Sequence, residues 1–126
     1  MHVDYATQYA LGRAGEQAAV ERYEAEGYQT LGVRVRMHAG ELDAIFEDAD
    51  GTIVFVEVKS RAGVDFGAAE AVTAKKLATM RRCAAQWLDR QDFGAYRSVR
   101  FDVVECLFTE DGVDMVRFEG VEDGAC

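Results

Sequence analysis

The sequence predicts one α/β domain of the α+β kind, a mixed sheet of about five strands flanked by helices in the order αβββαββ. Three observations predict it. Residues 31–37 alternate apolar and polar with a period of two, and two strand-like runs, Leu42 to Glu47 and Ile53 to Lys59, are separated by the turn-forming Asp48-Ala49-Asp50-Gly51. Leu77, Met80, Ala84, Trp87 and Leu88 follow helical spacing. At 126 residues and 49% hydrophobic, the chain suits a single core.

In order, the first helix runs from Tyr5 to about Glu26 and is ended by Gly27. It is rich in alanine, with Tyr9, Val20 and Tyr23 as its larger core candidates. Gly12 and Gly15 each cost about 1 kcal/mol relative to Ala, which suggests close packing or a bend near Glu16. The strand at Leu31, Val33, Val35 and Met37 places Arg34 and Arg36 on its other face, where Arg36 could meet phosphate beside the hairpin. After the hairpin, residues 62–67 form a loop with two glycines. Thr73 is a plausible N-cap for a helix reaching Arg90. Val99 to Leu107 and Val113 to Phe118 read as two last strands joined at Glu110-Asp111-Gly112, with Arg100 and Asp102 on one face. The domain is expected to span residues 1–118, followed by a short acidic tail at 119–126.

The hairpin carries the chemistry. If it is symmetric about Asp50, Glu47 faces Ile53, Ile45 faces Phe55 and Asp43 faces Glu57; alternation adds Glu41 and Lys59 to the same patch. Carboxylates about 5 Å apart repel by roughly 1 kcal/mol in water and about 3 kcal/mol at an effective dielectric near 20. The second figure applies to a strand as apolar as Ile53-Val54-Phe55-Val56, which reads as central and covered on both faces. Lys59 offsets part of the repulsion, and a divalent cation on oxygen ligands would offset the rest.

Asp43, thirteen residues, then Glu57-Val58-Lys59 resembles the PD-(D/E)xK nuclease signature. The longer string resembles the YraN family of nuclease-like proteins: Gly40, Glu41, Asp43, Phe55, Val56, Glu57, Val58, Lys59 and Arg61 match its pattern. Further matches are Gly15-Glu16, Gly27-Tyr28, Arg36, Phe66-Gly67, Lys76 and Arg100-Phe101-Asp102-Val103. The family usually carries Asn where this chain has Arg34. The resemblance implies a restriction-endonuclease-like core, similar to that of Holliday junction resolvases, and metal-dependent hydrolysis of a nucleic-acid phosphodiester. In that reading Asp43 and Glu57 bind Mg²⁺ or Mn²⁺ with help from Glu16. Lys59 completes the catalytic set with them, positioning water or stabilising transition-state charge, and Glu41 stands behind the direct ligands. Arg36, Arg61 and Lys76 contact nucleic acid. Two alternatives stand beside this: a nucleic-acid-binding module without turnover, and an interaction module that uses its acidic surface.

The net charge of −9 opposes nucleic-acid binding, since duplex affinity comes largely from Lys and Arg on phosphates. Its distribution softens the objection. Residues 59–100 hold 9 basic and 4 acidic side chains, whereas residues 1–58 hold 4 and 11, and residues 101–126 hold 1 and 8. DNA is expected ahead of RNA, on branched or single-stranded substrates, and junction cutting would favour a homodimer. The three cysteines are widely spaced and form no Cys-x-x-Cys, so neither a disulfide framework nor a zinc site is indicated; Cys83 and Cys106 read as core fillers. There is no apolar run of membrane-spanning length and no signal-peptide start, so no membrane partner and a cytoplasmic location are expected.

Overall fold

The computed structural model describes residues 8–63, 73–92 and 97–121. Seven elements follow the predicted order: α1 (Gln8–Ala25), β1 (Gln29–Met37), β2 (Gly40–Glu47), β3 (Ile53–Ala62), α2 (Ala74–Asp89), β4 (Val99–Thr109) and β5 (Gly112–Phe118). The strands form one sheet in the order β1-β2-β3-β4-β5, antiparallel except for the parallel β3/β4 pair that α2 connects. The mixed five-stranded sheet is therefore as the sequence predicts.

The hairpin register is also as expected, with Glu47 opposite Ile53 and Ile45 opposite Phe55. Asp48 fixes the turn, because its Oδ1 accepts from the N–H groups of Asp50 and Thr52, both at 2.9 Å. Gly51 takes φ 87°, which the aspartate-rich turn needs and a glycine adopts without strain.

β3 lies between β2 and β4, and Ile53 to Glu57 are all buried. Its alternation feeds two cores. Ile53 and Phe55 pack with Leu77, Met80, Cys83 and Trp87 of α2. Val54 and Val56 pack with Leu11, Ala19 and Tyr23 of α1 on the other face, where Cys106 is also buried. Both cysteines in the described residues are thus core groups. Thr73 caps α2 by accepting from the Lys76 N–H at 3.1 Å.

Leu11, Gly15, Ala19 and Tyr23 recur every four residues and turn one narrow stripe of α1 to the sheet. Tyr9 does not belong to it. The sequence suggests a core tyrosine, yet Tyr9 is 64% exposed, because position 9 falls off the stripe. The two helical glycines also separate. A Cβ on Gly15 would sit 1.7 Å from Ser60 Oγ and 3.0 Å from Ser60 Cβ, while a Cβ on Gly12 would meet nothing within 4 Å. Gly12→Ala should therefore stabilise by about 1 kcal/mol through helix propensity. Gly15→Ala should destabilise despite the same gain, since overpacking costs about 1–3 kcal/mol. Denaturant unfolding of the two variants checks the opposite signs.

A buried polar network ties the far end of α1 to β4. Asp102 is fully buried and accepts from Tyr23 Oη at 2.7 Å, from Arg100 Nε and Nη2 at 2.9 Å each, and from the Gly120 N–H at 3.1 Å. Burial, followed by the adjacent Asp102 carboxylate, raises the Tyr23 hydroxyl far above its ordinary range, so it remains a donor. Arg100 also donates to Tyr28 Oη at 2.8 Å, and the Arg117 guanidinium lies 4.1 Å from the Tyr23 ring centroid. Of the expected acidic tail, residues 119–121 are described and engage the domain. Glu119 pairs with Arg100 and Arg117, and Val121 is buried with its N–H on the Phe101 carbonyl at 2.9 Å. Residues 122–126 lie outside the described residues, as does Phe66-Gly67.

Candidate active site

The site lies where β1 and β2 lose their alternation and the β2/β3 ladder ends. Between β1 and β2 the register pairs Val33 with Ala44 and Val35 with Leu42, so Arg34 and Asp43 fall between two ladder pairs. Both strands lose alternation there. Leu42 and Ile45, three residues apart, join the α2-side core, while Ala44 and Phe46 join the α1 side. Val33 borders a cavity against α1, but Val35 packs toward α2. The local cause is Arg34, the one non-glycine described residue at positive φ, at 53°. The clean alternation in the sequence therefore misleads, and Arg34 and Arg36 do not share one regular face.

The β2/β3 ladder ends at Ala44↔Val56. Just beyond it, Asp43 Oδ2 accepts from the Val58 N–H at 2.8 Å, so a side chain serves the strand where ladder pairing has stopped. The expected opposition of Asp43 and Glu57 thus takes the form of a fork. Glu57, buried on Phe55's face, is met by Lys76 of α2, with Nζ 2.8 Å from Oε2.

Carboxylate oxygens of Glu16, Glu41 and Asp43 lie within 4.8 Å of one another. Glu16 comes from the buried side of α1, next to the Gly15 contact that seats the helix on β3. Its Oε1 accepts from Arg34 Nη1 at 2.9 Å, a bond that raises the Arg34 pKa further. Glu41 lies 3.8 Å from Arg36, whose side chain is 80% exposed. Burial first, then the charge of Glu57, pushes the Asp43 carboxyl up to about 7; Glu16 adds to the rise, while the Val58 N–H and Lys76 oppose it. For Lys76, burial opposes the charge, but the hydrogen bond and charge of Glu57 outweigh it and raise its pKa.

Of the residues expected in the site, Glu16, Glu41 and Asp43 come together directly. Glu57 adjoins Asp43 electrostatically but is bonded to Lys76. Lys59 lies two residues further along β3, opposite Glu105 of β4. Arg61 is half-buried, and its Nη2 is buried with no hydrogen-bond partner among the described residues. Two features escape the sequence reading. Arg34 pairs with Glu16 across an interval of eighteen residues, and Glu41 joins the carboxylates themselves instead of standing behind them. The positive φ of Arg34 carries no signal in residue type. The Glu41 arrangement follows from the lost alternation.

The donor set fits a hard divalent cation. Three carboxylates can offer oxygen ligands at one point, and burial together with the charges of Glu57 and Glu16 already disfavours the Asp43 charge there.

The model of the uncharacterised protein family UPF0102 matches residues 15–106, a span that contains all of the carboxylates above. A UPF0102 protein of Corynebacterium efficiens is 50% identical over 117 residues, covering 91% of this chain and 93% of its own. One from Mycolicibacterium smegmatis is 50% identical over 100 residues, covering 78% and 80%. Among solved structures, a repair endonuclease from Pyrococcus abyssi aligns with a TM-score of 0.49 at 22% identity. The alignment covers 88% of this chain and 42% of that one.

Proposed function

The chain belongs to the uncharacterised protein family UPF0102, the YraN family, and we propose that it is a metal-dependent hydrolase of nucleic-acid phosphodiester bonds. The observation that carries this reading is the fork itself. Glu16, Glu41 and Asp43 converge on one point while Glu57 and two lysine-bearing elements border it. An Asp43 held up to about 7 has the perturbed, like-charge environment expected of a functional carboxylate.

Asp43 and Glu16 would hold Mg²⁺ or Mn²⁺, with Glu41 beside them and Glu57 contributing its charge. A cation bound there would supply a Lewis acid for a phosphate oxygen and a water of lowered pKa. Lys76 orients Glu57 through its 2.8 Å ion pair. Lys59, half-buried on the continuation of β3, would bring an ammonium to where charge develops on the phosphate. Arg36, Arg61 and Lys76 are the cations for the nucleic-acid backbone, which offsets in part the overall charge of −9.

A second reading is favoured by one specific observation. Two of the acids already have internal cations, Arg34 on Glu16 and Lys76 on Glu57, as a module that binds nucleic acid without turnover could have. Incubating the protein with labelled junction, flap, single-stranded and duplex DNA in Mg²⁺ or Mn²⁺ separates the two. The hydrolase reading expects cleavage that requires metal and disappears in Lys59→Ala. Binding without product from any substrate would favour the second.

Metal binding should release protons, because Asp43 holds one below about pH 7 and must lose it to act as a ligand. The apparent affinity should weaken as pH falls below 7, by at most about tenfold per pH unit for this one group. Isothermal titration with Mn²⁺ at pH 6 and pH 8, in buffers of different ionisation enthalpy, reads both effects.

A further inference from the structure

We propose that the groove between the middle of α1 and β1 is a stacking subsite for an unpaired nucleotide, so the carboxylate fork receives a single-stranded or splayed strand, not continuous duplex. This rests on the hydrolase reading above and gives that reading a substrate class. The groove encloses about 480 Å³ and is lined by Arg13, Glu16, Val33 and Arg34 among others, a size typical of sites for small organic groups.

Tyr9 lies against two residues that line this groove, Arg13 and Arg34. Among the described residues the other exposed large hydrophobic side chains are all valines, so Tyr9 is the one exposed aromatic among them. A single exposed apolar residue needs no explanation, but Tyr9 does not stand alone. The guanidinium carbons of Arg13 and Arg34 lie 5.8 Å and 5.4 Å from its ring centroid, and Arg13 Nη1 donates to its hydroxyl at 3.0 Å. The ring is held by two guanidinium groups and remains 64% exposed. Val33, 41% exposed, adds an apolar wall from β1.

An exposed ring beside two guanidinium groups suits a base and the phosphate attached to it. A base can offer its flat face to Tyr9 only when it is out of a duplex stack, which selects unpaired strands. The groove also leads to the fork. Glu16 lines it and is one of the three converging carboxylates, so a nucleotide seated on Tyr9 has its neighbouring phosphodiester at the acids. Arg34 links the two places, with one guanidinium bonded to Glu16 and stacked near Tyr9.

The test is fluorescence anisotropy of the full chain with a labelled twelve-nucleotide oligothymidylate, and separately with a twelve-base-pair duplex, in Ca²⁺ and at low ionic strength. The parent should bind the single strand more tightly than the duplex. Tyr9→Ala should weaken single-strand binding by about 5- to 100-fold, the effect of one lost base–aromatic stack. Tyr9→Phe should stay within about twofold of the parent, and duplex binding should be the same in all three. Circular dichroism checks that the exposed substitution leaves the fold intact. Equal single-strand affinity of Tyr9→Ala and parent, or a parent that prefers the duplex, would overturn the subsite and leave the hydrolase reading standing. No binding of either oligonucleotide by the parent would overturn both.

Discussion

Asp43→Asn is expected to abolish metal-dependent cleavage, by 100-fold or more, and to make the protein more stable. The two effects share one cause. Asparagine keeps an oxygen acceptor for the Val58 N–H at the fork but removes a charge that burial, Glu57 and Glu16 all disfavour. The pH dependence follows with a definite sign. Asp43 is raised in the folded state from its ordinary value of 3.8 to about 7, so the folded chain binds the proton more tightly than the unfolded chain between those values. Its contribution to stability is therefore fullest below about pH 4 and is lost as pH rises through 7. Above pH 7 the variant should exceed the parent by up to about 4 kcal/mol, and the gap should close below pH 4. Urea unfolding of both proteins at pH 4 and pH 8 reads the difference. A parent that is equally or more stable at pH 8 would show that the fork is not the electrostatically costly place described above.

Asp102→Ala should produce the largest loss of stability from a single substitution. It would strip four donors of their common acceptor, including two from the Arg100 guanidinium and the Tyr23 hydroxyl. Breaking a buried ion pair from one side costs about 3–5 kcal/mol, because the remaining charge stays buried without its partner. That is a large share of the 5–15 kcal/mol that holds a typical domain together. For a chain of this size the midpoint of thermal unfolding should fall by roughly 10–20 °C. Tyr23→Phe removes one of the four donors and should cost only about 1 kcal/mol. A scanning calorimetry comparison of these two variants with the parent would show whether the network acts as described or whether Asp102 is dispensable.

The contrast between these two carboxylates shows how far the sequence could be read. The hairpin was legible because Asp48-Ala49-Asp50-Gly51 fixes a turn and the flanking runs fix its register. β3 was legible as central because its apolar run exceeds what a half-exposed strand needs. α2 was legible from Leu77 to Trp87, since its stripe is made of large side chains. The stripe of α1 was not, because Gly15 and Ala19 are too small to reveal which face is covered, and Tyr9 is large enough to mislead. Arg100 and Asp102 were visible as a pair, but their burial depends on Tyr23 and Tyr28, more than seventy positions earlier.

Within the site, residue identities were legible and the geometry was only partly so. The pattern of Asp43, Glu57 and Lys59 marks the hairpin as the candidate site. Which acids meet depends on a backbone event at Arg34, a residue type with no preference for positive φ. Once alternation is lost at facing positions in β1 and β2, Glu41 moves in with Glu16 and Asp43, and Glu57 turns to Lys76. Tertiary placement of α1 and α2, through Gly15 on Ser60 and through the Thr73 cap, then decides where Glu16 and Lys76 arrive.

The central claim is that the fork holds a divalent cation through Asp43. Calorimetric titration of Mn²⁺ into the parent and into Asp43→Asn at pH 8 tests it most directly. Saturable binding near one equivalent in the parent, lost in the folded variant, is the predicted result. Equal binding by both proteins, or none by the parent even with a phosphodiester oligonucleotide present, would contradict it.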